Sequence, residues 1–266
     1  MIHPFISGNK WRKLKYNLLR AEAENKDHLV TFGGVWSNHL LATACAAARF
    51  GLKATAFVRG EDINTESMVL CRLFGMQLRF TDRESYRDKR ALFNSAFAGD
   101  SSVLFVDEGG AGTEGIKGCA ELADELPEDY DHVFCAAGTG TTAAGIIQGL
   151  TARGFNAKVN VVPVLKGAEF IEEEISKLTD AGFNFVPAYH FGGYAKTQPE
   201  LLEFIRNFSS ATGILLDPVY TGKMMYAVFD LVKKGVFAPG SRILTIHTGG
   251  LFGLLGMKDR FFMLPG

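Results

Sequence analysis

The sequence has little that would carry it to a membrane, a nucleic acid or an oxidising compartment. No apolar run reaches the roughly 18 residues a membrane span requires, and the N-terminus lacks the charged start and apolar stretch of a signal peptide. Lysine and arginine number 28 against 29 aspartates and glutamates, a formal net charge of -1, so no overall positive field gathers nucleic acid or an anionic bilayer. The four cysteines, Cys45, Cys71, Cys119 and Cys135, are widely spaced, form no CxxC and have no histidines at zinc-finger intervals. Reduced, buried thiols follow. No low-complexity linker and no internal repeat interrupts the chain. The absences point to a cytoplasmic protein that handles small molecules and holds no metal.

What is present is an ordinary globular composition with an excess of one residue. At 266 residues and 47% hydrophobic, the chain can bury one large domain or two smaller ones. Its 30 glycines exceed the usual share of ~7%, and several are clustered where backbone would approach a ligand. Short β-rich segments recur at His28 to Phe32, Ala54 to Val58, Met76 to Phe80, Val103 to Val106, His132 to Ala136, Val159 to Leu165 and Arg242 to His247. Helix-length stretches lie between most of them: Asn38 to Phe50, Ile63 to Phe74, Glu84 to Phe97, Thr113 to Leu126, Ala143 to Arg153 and Glu169 to Ala181. Strand then helix, repeated, predicts an α/β protein with a mostly parallel sheet covered on both faces. Pro127 to Asp131 is the candidate domain junction. In such folds ligands collect beyond the carboxyl ends of the strands, in glycine-rich turns that open helices.

Five segments carry candidate chemistry. Ser7-Gly8-Asn9-Lys10-Trp11-Arg12-Lys13 reads as a helix start bearing two lysines and an arginine. A solvated basic face is the plainer account, but a lysine at the mouth of a cleft can form an imine. Gly33-Gly34-Val35-Trp36-Ser37-Asn38-His39 is a strand end, two glycines and a helix start. Ser37 suits an N-cap, and the amides there also favour an anion such as a carboxylate at Ser37, Asn38 and His39. The surroundings of Ser37 are not GxSxG, which argues against a hydrolase elbow. Gly138-Thr139-Gly140-Thr141-Thr142-Ala143-Ala144-Gly145 runs from a strand directly into a helix, as a phosphate cradle does. It lacks the Gly-Lys-Ser/Thr of a Walker loop, and Ala143 stands at the third glycine position of GxGxxG. Asp217-Pro218-Val219-Tyr220-Thr221-Gly222-Lys223 and His247-Thr248-Gly249-Gly250 each pass for ordinary loops, with Tyr220 as packing and His247 as a satisfied core histidine.

In this order the five segments resemble the fold-type II pyridoxal phosphate enzymes, specifically the family of 1-aminocyclopropane-1-carboxylate deaminase and D-cysteine desulfhydrase. The match spans Ser7 to Gly250. The resemblance implies pyridoxal 5′-phosphate joined to Lys10, with Lys13 and the turn Gly138, Thr139, Gly140, Thr141 and Thr142 holding its phosphate. It implies Asn38 at the pyridoxal 3′-oxygen, and Ser37, Asn38 and His39 at the substrate carboxylate. Tyr194, in Gly192-Gly193-Tyr194-Ala195, and Tyr220 resemble the family's two active-site tyrosines; Thr221 and Thr248 complete the cofactor set. It further implies a homodimer of two-domain chains, residues 14–126 forming a smaller domain inserted into a larger one made of 1–13 plus 127–266.

One position divides the family. Deaminases that open the cyclopropane ring carry glutamate after the DPVY tyrosine, placing a carboxylate at the pyridine nitrogen; this chain has Thr221. The implied reaction is therefore that of a D-cysteine desulfhydrase. The substrate amine displaces Lys10, Lys10 removes the α-proton, sulfide departs, and hydrolysis gives pyruvate and ammonia. The family pattern also places a few dozen residues, including a strand and an Arg-Asp-Asp segment, ahead of the cofactor lysine. Trp36 and Leu40-Leu41 stand where more polar residues are usual, which implies a different substrate scope. The competing expectations are a 1-aminocyclopropane-1-carboxylate deaminase, a homologue that binds the cofactor without turnover, and a Rossmann-type nucleotide enzyme. The last requires an acidic residue about 20 positions after the glycine turn, where the strand ends in Lys166 instead.

Overall fold

The computed structural model describes residues 3–262. The chain folds as two compact units, one ending at Gly118 and the other beginning at Cys119. Each is built on a four-stranded sheet in which every pairing is parallel. No helix among the described residues is long and apolar enough to cross a membrane.

The first unit opens with α1 (Gly8–Ala23) and continues through β1 (His28–Gly34), α2 (Asn38–Arg49), β2 (Lys53–Arg59), α3 (Glu66–Leu73), β3 (Gln77–Thr81), α4 (Lys89–Phe97), β4 (Val103–Phe105) and most of α5 (Thr113–Ala120). The strand order is β3-β2-β1-β4. Five consecutive residues are buried in β1 and five in β2, as befits central parallel strands covered on both faces. On one side Leu14 of α1 packs with Ala42, Cys45 and Ala46 of α2. Small residues on α2 let α1 come close. On the other side Phe32, Phe57, Tyr86 and Phe105 form an aromatic cluster, with Phe32 and Phe57 stacked at 5.2 Å.

The second unit contains β5 (His132–Ala137), α6 (Thr141–Ala152), β6 (Lys158–Pro163), α7 (Glu169–Leu178), β7 (Asn184–Phe185), α8 (Pro199–Thr212), α9 (Thr221–Lys233), β8 (Ile243–Thr245) and α10 (Lys258–Phe262). Its strand order is β7-β6-β5-β8. Buried Ile146, Ile147 and Leu150 of α6 meet Ile171 and Ile175 of α7 over Val133, Cys135 and Val161. Helix α6 lies so close to the end of α5 that a Cβ at Gly149 would overlap the Ala120 carbonyl.

The expected α/β architecture is present, and the bounds of individual helices depart from the expected ones locally. The stretch Glu84 to Phe97 is broken: a short 3-10 turn at Ser85–Arg87 precedes α4, because the Asp88 carboxylate accepts from Ala91 N at 2.8 Å and caps a new helix. Helix α3 starts at Glu66 rather than Ile63, because Thr65 Oγ1 accepts from Met68 N at 3.2 Å. The stretch Thr113 to Leu126 is α-helical only to Ala120 and continues as a 3-10 turn, Glu121–Glu125. Helices α8 and α9 and the two-residue β7 are additional to the elements expected from the sequence. All four cysteines are buried and none forms a disulfide.

Candidate active site

In the first unit the candidate residues gather where β1 ends and α2 begins, at the carboxyl edge of the sheet. Ser37 is the N-cap of α2: its Oγ accepts from Leu40 N at 3.3 Å. That leaves the hydroxyl proton available to a carboxylate. The preceding turn is pinned by Thr65, whose hydroxyl donates to Val35 O at 2.9 Å. His39 is buried, with Nε2 at 2.8 Å from the Thr31 hydroxyl. Burial, and then the positive charges of Lys10 and Lys13, hold its pKa well below the ordinary histidine value, so its ring is neutral near pH 7. Lys13 is buried and donates to Gly109 O at 3.1 Å. Lys10 is half-buried in the first turn of α1, its backbone N–H donating to Ser7 O at 3.2 Å. Ser7 holds the extended N-cap conformation without a side-chain cap bond. The Asn38 Oδ1 and His39 Nδ1 atoms are buried with no hydrogen-bond partner. Such groups are rare in a finished core and mark a place for a polar ligand.

In the second unit the corresponding edge carries the glycine turn. Gly140 is the N-cap of α6, at φ 77 in the left-handed region, and no side chain caps the helix. A Cβ there would lie 2.9 Å from Ile175 Cγ1. The turn thus leads backbone, rather than a side chain, to the start of a helix that favours an anion. Thr141 and Thr142 are buried beside it, and Thr139 Oγ1 lies 3.3 Å from Thr141 Oγ1. Tyr220 packs over this turn: a Cβ at Gly138 would stand 3.1 Å from its Cε1. The rings of Tyr220 and Tyr194 meet edge to face at 6.1 Å, and the Tyr220 hydroxyl donates to that of Tyr194 at 3.4 Å.

Thr221 is fully buried, with its hydroxyl donating to Asp217 Oδ1 at 2.8 Å and accepting from Asp217 N at 2.9 Å. Thr248 is buried just beyond β8. His247 is exposed rather than a core residue, and satisfied by structure: its ring meets Leu215 O at 2.8 Å and Gly249 N at 3.1 Å.

The sequence reading gave no task to Gly109, Thr31, Asp217 or Lys223. The buried Asp217 carboxylate accepts from the N–H groups of Val219, Tyr220 and Thr221 at 2.8–2.9 Å. Burial nevertheless raises its pKa, against the lowering effect of those bonds. Aspartate before proline near a helix start was a usable sign for Asp217. The partners of Lys13 and Lys223 lie far along the chain, and no local pattern reveals them.

Each unit by itself carries features of the kind pyridoxal phosphate requires: in the first, unpartnered polar atoms near a lysine; in the second, a helix start without a side-chain cap among glycines and threonines. Fold and residues together define a fold-type II pyridoxal phosphate enzyme. The family model described as "Pyridoxal-phosphate dependent enzyme" matches residues 2–249. The chain belongs to that family, and within it to the group of 1-aminocyclopropane-1-carboxylate deaminase and D-cysteine desulfhydrase. The mitochondrial bifunctional D-cysteine desulfhydrase/1-aminocyclopropane-1-carboxylate deaminase of Arabidopsis thaliana is 30% identical, over 98% of this chain and 73% of its own length. The 1-aminocyclopropane-1-carboxylate deaminase of Bradyrhizobium diazoefficiens is also 30% identical, over 96% of this chain and 85% of its own. A solved ACC deaminase homologue superposes with a TM-score of 0.86 at 29% identity, over 97% of this chain and 85% of that one. The likeness to a fungal L-serine ammonia-lyase from Rhizomucor miehei, TM-score 0.74 at 15% identity, is one of fold.

Proposed function

We propose that this deaminase-family enzyme is a D-cysteine desulfhydrase, converting D-cysteine and water to pyruvate, ammonia and sulfide. The observation that carries this reading is at Thr221: the position after the DPVY tyrosine holds no carboxylate, and its hydroxyl already serves Asp217. Nothing from that side chain demands a protonated pyridine nitrogen, as ring opening does.

Pyridoxal phosphate, when bound, supplies the electron sink that makes the α-proton acidic. Lys10 is assigned the covalent link and then, as a free amine, the removal of that proton. His39, held neutral by burial and by the charges of Lys10 and Lys13, adds no further positive charge beside Lys10. The Asn38 amide is assigned to the 3′-oxygen, as a donor through its NH2 group. Ser37, Asn38 and His39 would bind the substrate carboxylate. Lys13, with Gly138, Thr139, Gly140, Thr141, Thr142 and Thr248, would hold the cofactor. Because Tyr220 donates to the Tyr194 oxygen, Tyr194 keeps its own proton for the departing sulfur. The Cα–H and Cβ–S bonds break, and water replaces the nitrogen. The reading also takes the enzyme as a cytoplasmic homodimer, checked by fractionation and light scattering.

A second reading, 1-aminocyclopropane-1-carboxylate deaminase, is favoured by the relatives' names. The two separate by product. With D-cysteine the cofactor-saturated protein is expected to release sulfide and pyruvate in equal amounts, and with the cyclopropane substrate no 2-oxobutyrate. Release of 2-oxobutyrate at a comparable rate transfers the assignment to the second reading. Bound cofactor without either product identifies a binding protein that has lost turnover.

A further inference from the structure

The first turn of α9 contains a wholly buried lysine, Lys223. Its ammonium donates to three carbonyls: Gly193 at 2.7 Å, His190 at 2.8 Å and Val164 at 3.3 Å. Three donors meet three acceptors. Two of those carbonyls belong to the turn that carries Tyr194, and the third to the residue after β6, whose own N–H donates to Ala137 O beside the glycine turn. The Tyr194 turn is backbone under strain. Phe191 (φ 52) and Ala195 (φ 54) occupy the left-handed region without being glycine, on either side of Gly192 (φ 93) and Gly193 (φ 121). Such conformations persist only where the surroundings impose them. The N–H groups of the helix start are served by Asp217, and a cation in the first turn is unfavourable for the helix itself, so α9 does not account for Lys223.

We propose that Lys223 is a positioning residue: its ammonium clamps the strained Phe191–Ala195 turn and thereby keeps the Tyr194 hydroxyl against Tyr220. This rests on the assignment of Tyr194 as the proton donor. The clamp has a pH limit. Burial lowers the Lys223 pKa to about 8, with the negative charge of Asp217 opposing the shift. The other titratable and charged groups on the elements meeting there are Tyr220, Tyr226 and Asp230 around α9, Tyr189, His190, Tyr194 and Lys196 in and before the turn, Lys166 behind Gly193, and Arg260 of α10, which donates to Ala195 O at 3.2 Å. His190 Nδ1 is occupied by Gly192 N at 2.9 Å. As a neutral amine Lys223 retains two N–H groups, and one carbonyl is released.

Hydrogen exchange read by mass spectrometry on the cofactor-saturated protein tests this. At pH 7 the amides of 190–196 in Lys223→Met are expected to exchange roughly tenfold faster than in the parent, with those of β5 unchanged. In the parent, raising the pH from 7 to 9.5 should produce a similar gain in 190–196 beyond the intrinsic acceleration. That series decides the matter alone should the variant not fold. With D-cysteine, Lys223→Met should lower kcat roughly tenfold with KM within about twofold and the cofactor absorption unaltered. Equal protection of 190–196 in both proteins and across pH overturns the clamp. Absence of turnover in the parent overturns the desulfhydrase reading and leaves the exchange result standing.

Discussion

The junctions β1–α2 and β5–α6 are the same device built twice. Each joins an inner strand of a four-stranded parallel sheet to the helix that follows, and the strand orders β3-β2-β1-β4 and β7-β6-β5-β8 correspond place for place. What differs is how the helix starts. At α2 a serine side chain caps the helix, followed by a half-buried amide whose oxygen is enclosed and by a neutral imidazole. At α6 a left-handed glycine brings bare backbone, with threonine hydroxyls alongside. In the proposed function the first start would read ligand shape through side chains, and the second would take a compact, highly charged group through main-chain amides. One topology would then serve recognition and anchoring by changing a few residues at the turn.

Substitutions can break that contrast. The largest effect belongs to Lys10→Ala, which should lower turnover by roughly 10³-fold or more and prevent borohydride from fixing the cofactor to the chain, as read by mass spectrometry. Retention of a covalent adduct would move the link to another lysine. Next is Gly140→Val, which forces a β-branched residue into φ 77 against Ile175. Cofactor affinity in an absorbance titration should fall about 100-fold, whereas Ser37→Gly should change it less than about threefold. Equal losses at both helix starts would end the division of labour.

His39 gives a pH test. Its folded-state pKa is depressed, so below the ordinary value of 6.5 the unfolded chain takes up a proton that the folded one refuses, and stability falls as the pH drops from there. The parent should lose up to about 2 kcal/mol more than His39→Gln between pH 7 and pH 5 in urea unfolding. The smallest effects are at Ser37. Alanine should cost about 1 kcal/mol as a lost cap and glycine only a few tenths, while both raise KM for the amino acid roughly tenfold. A KM that follows stability, rather than loss of the hydroxyl, makes Ser37 a cap and nothing more.

The sequence disclosed most where cause and effect are neighbours. Gly33-Gly34 before Ser37, and Gly138 and Gly140 before Thr141, announce strand–turn–helix joints because the glycine, the cap and the first helical residue lie within a few positions. The breaks at Asp88 and Thr65 were legible in principle, each being an N-cap in a helical run, but periodicity alone ran through them. Helix α9 was hidden because the carboxylate that accepts its first N–H, Asp217, stands four residues before Thr221 with a proline between. β7 pairs with β6 over only two residues, too short for any pattern. The clamp on the Tyr194 turn joins residues 30 and more positions apart. The tyrosines themselves were recognised by resemblance, and their mutual hydrogen bond by geometry.

The close passage of Gly149 against Ala120 gives α6 a fulcrum. A glycine inside a helix costs about 1 kcal/mol relative to alanine, and here the missing methyl fixes how near the axis lies to its neighbour. Gly149 stands eight residues beyond Thr141, roughly 12 Å along that axis. A side chain introduced there would lift one end of a rigid rod whose other end is the proposed phosphate seat. In that proposal the grip on the cofactor is set partly by an atom that is absent, two turns away.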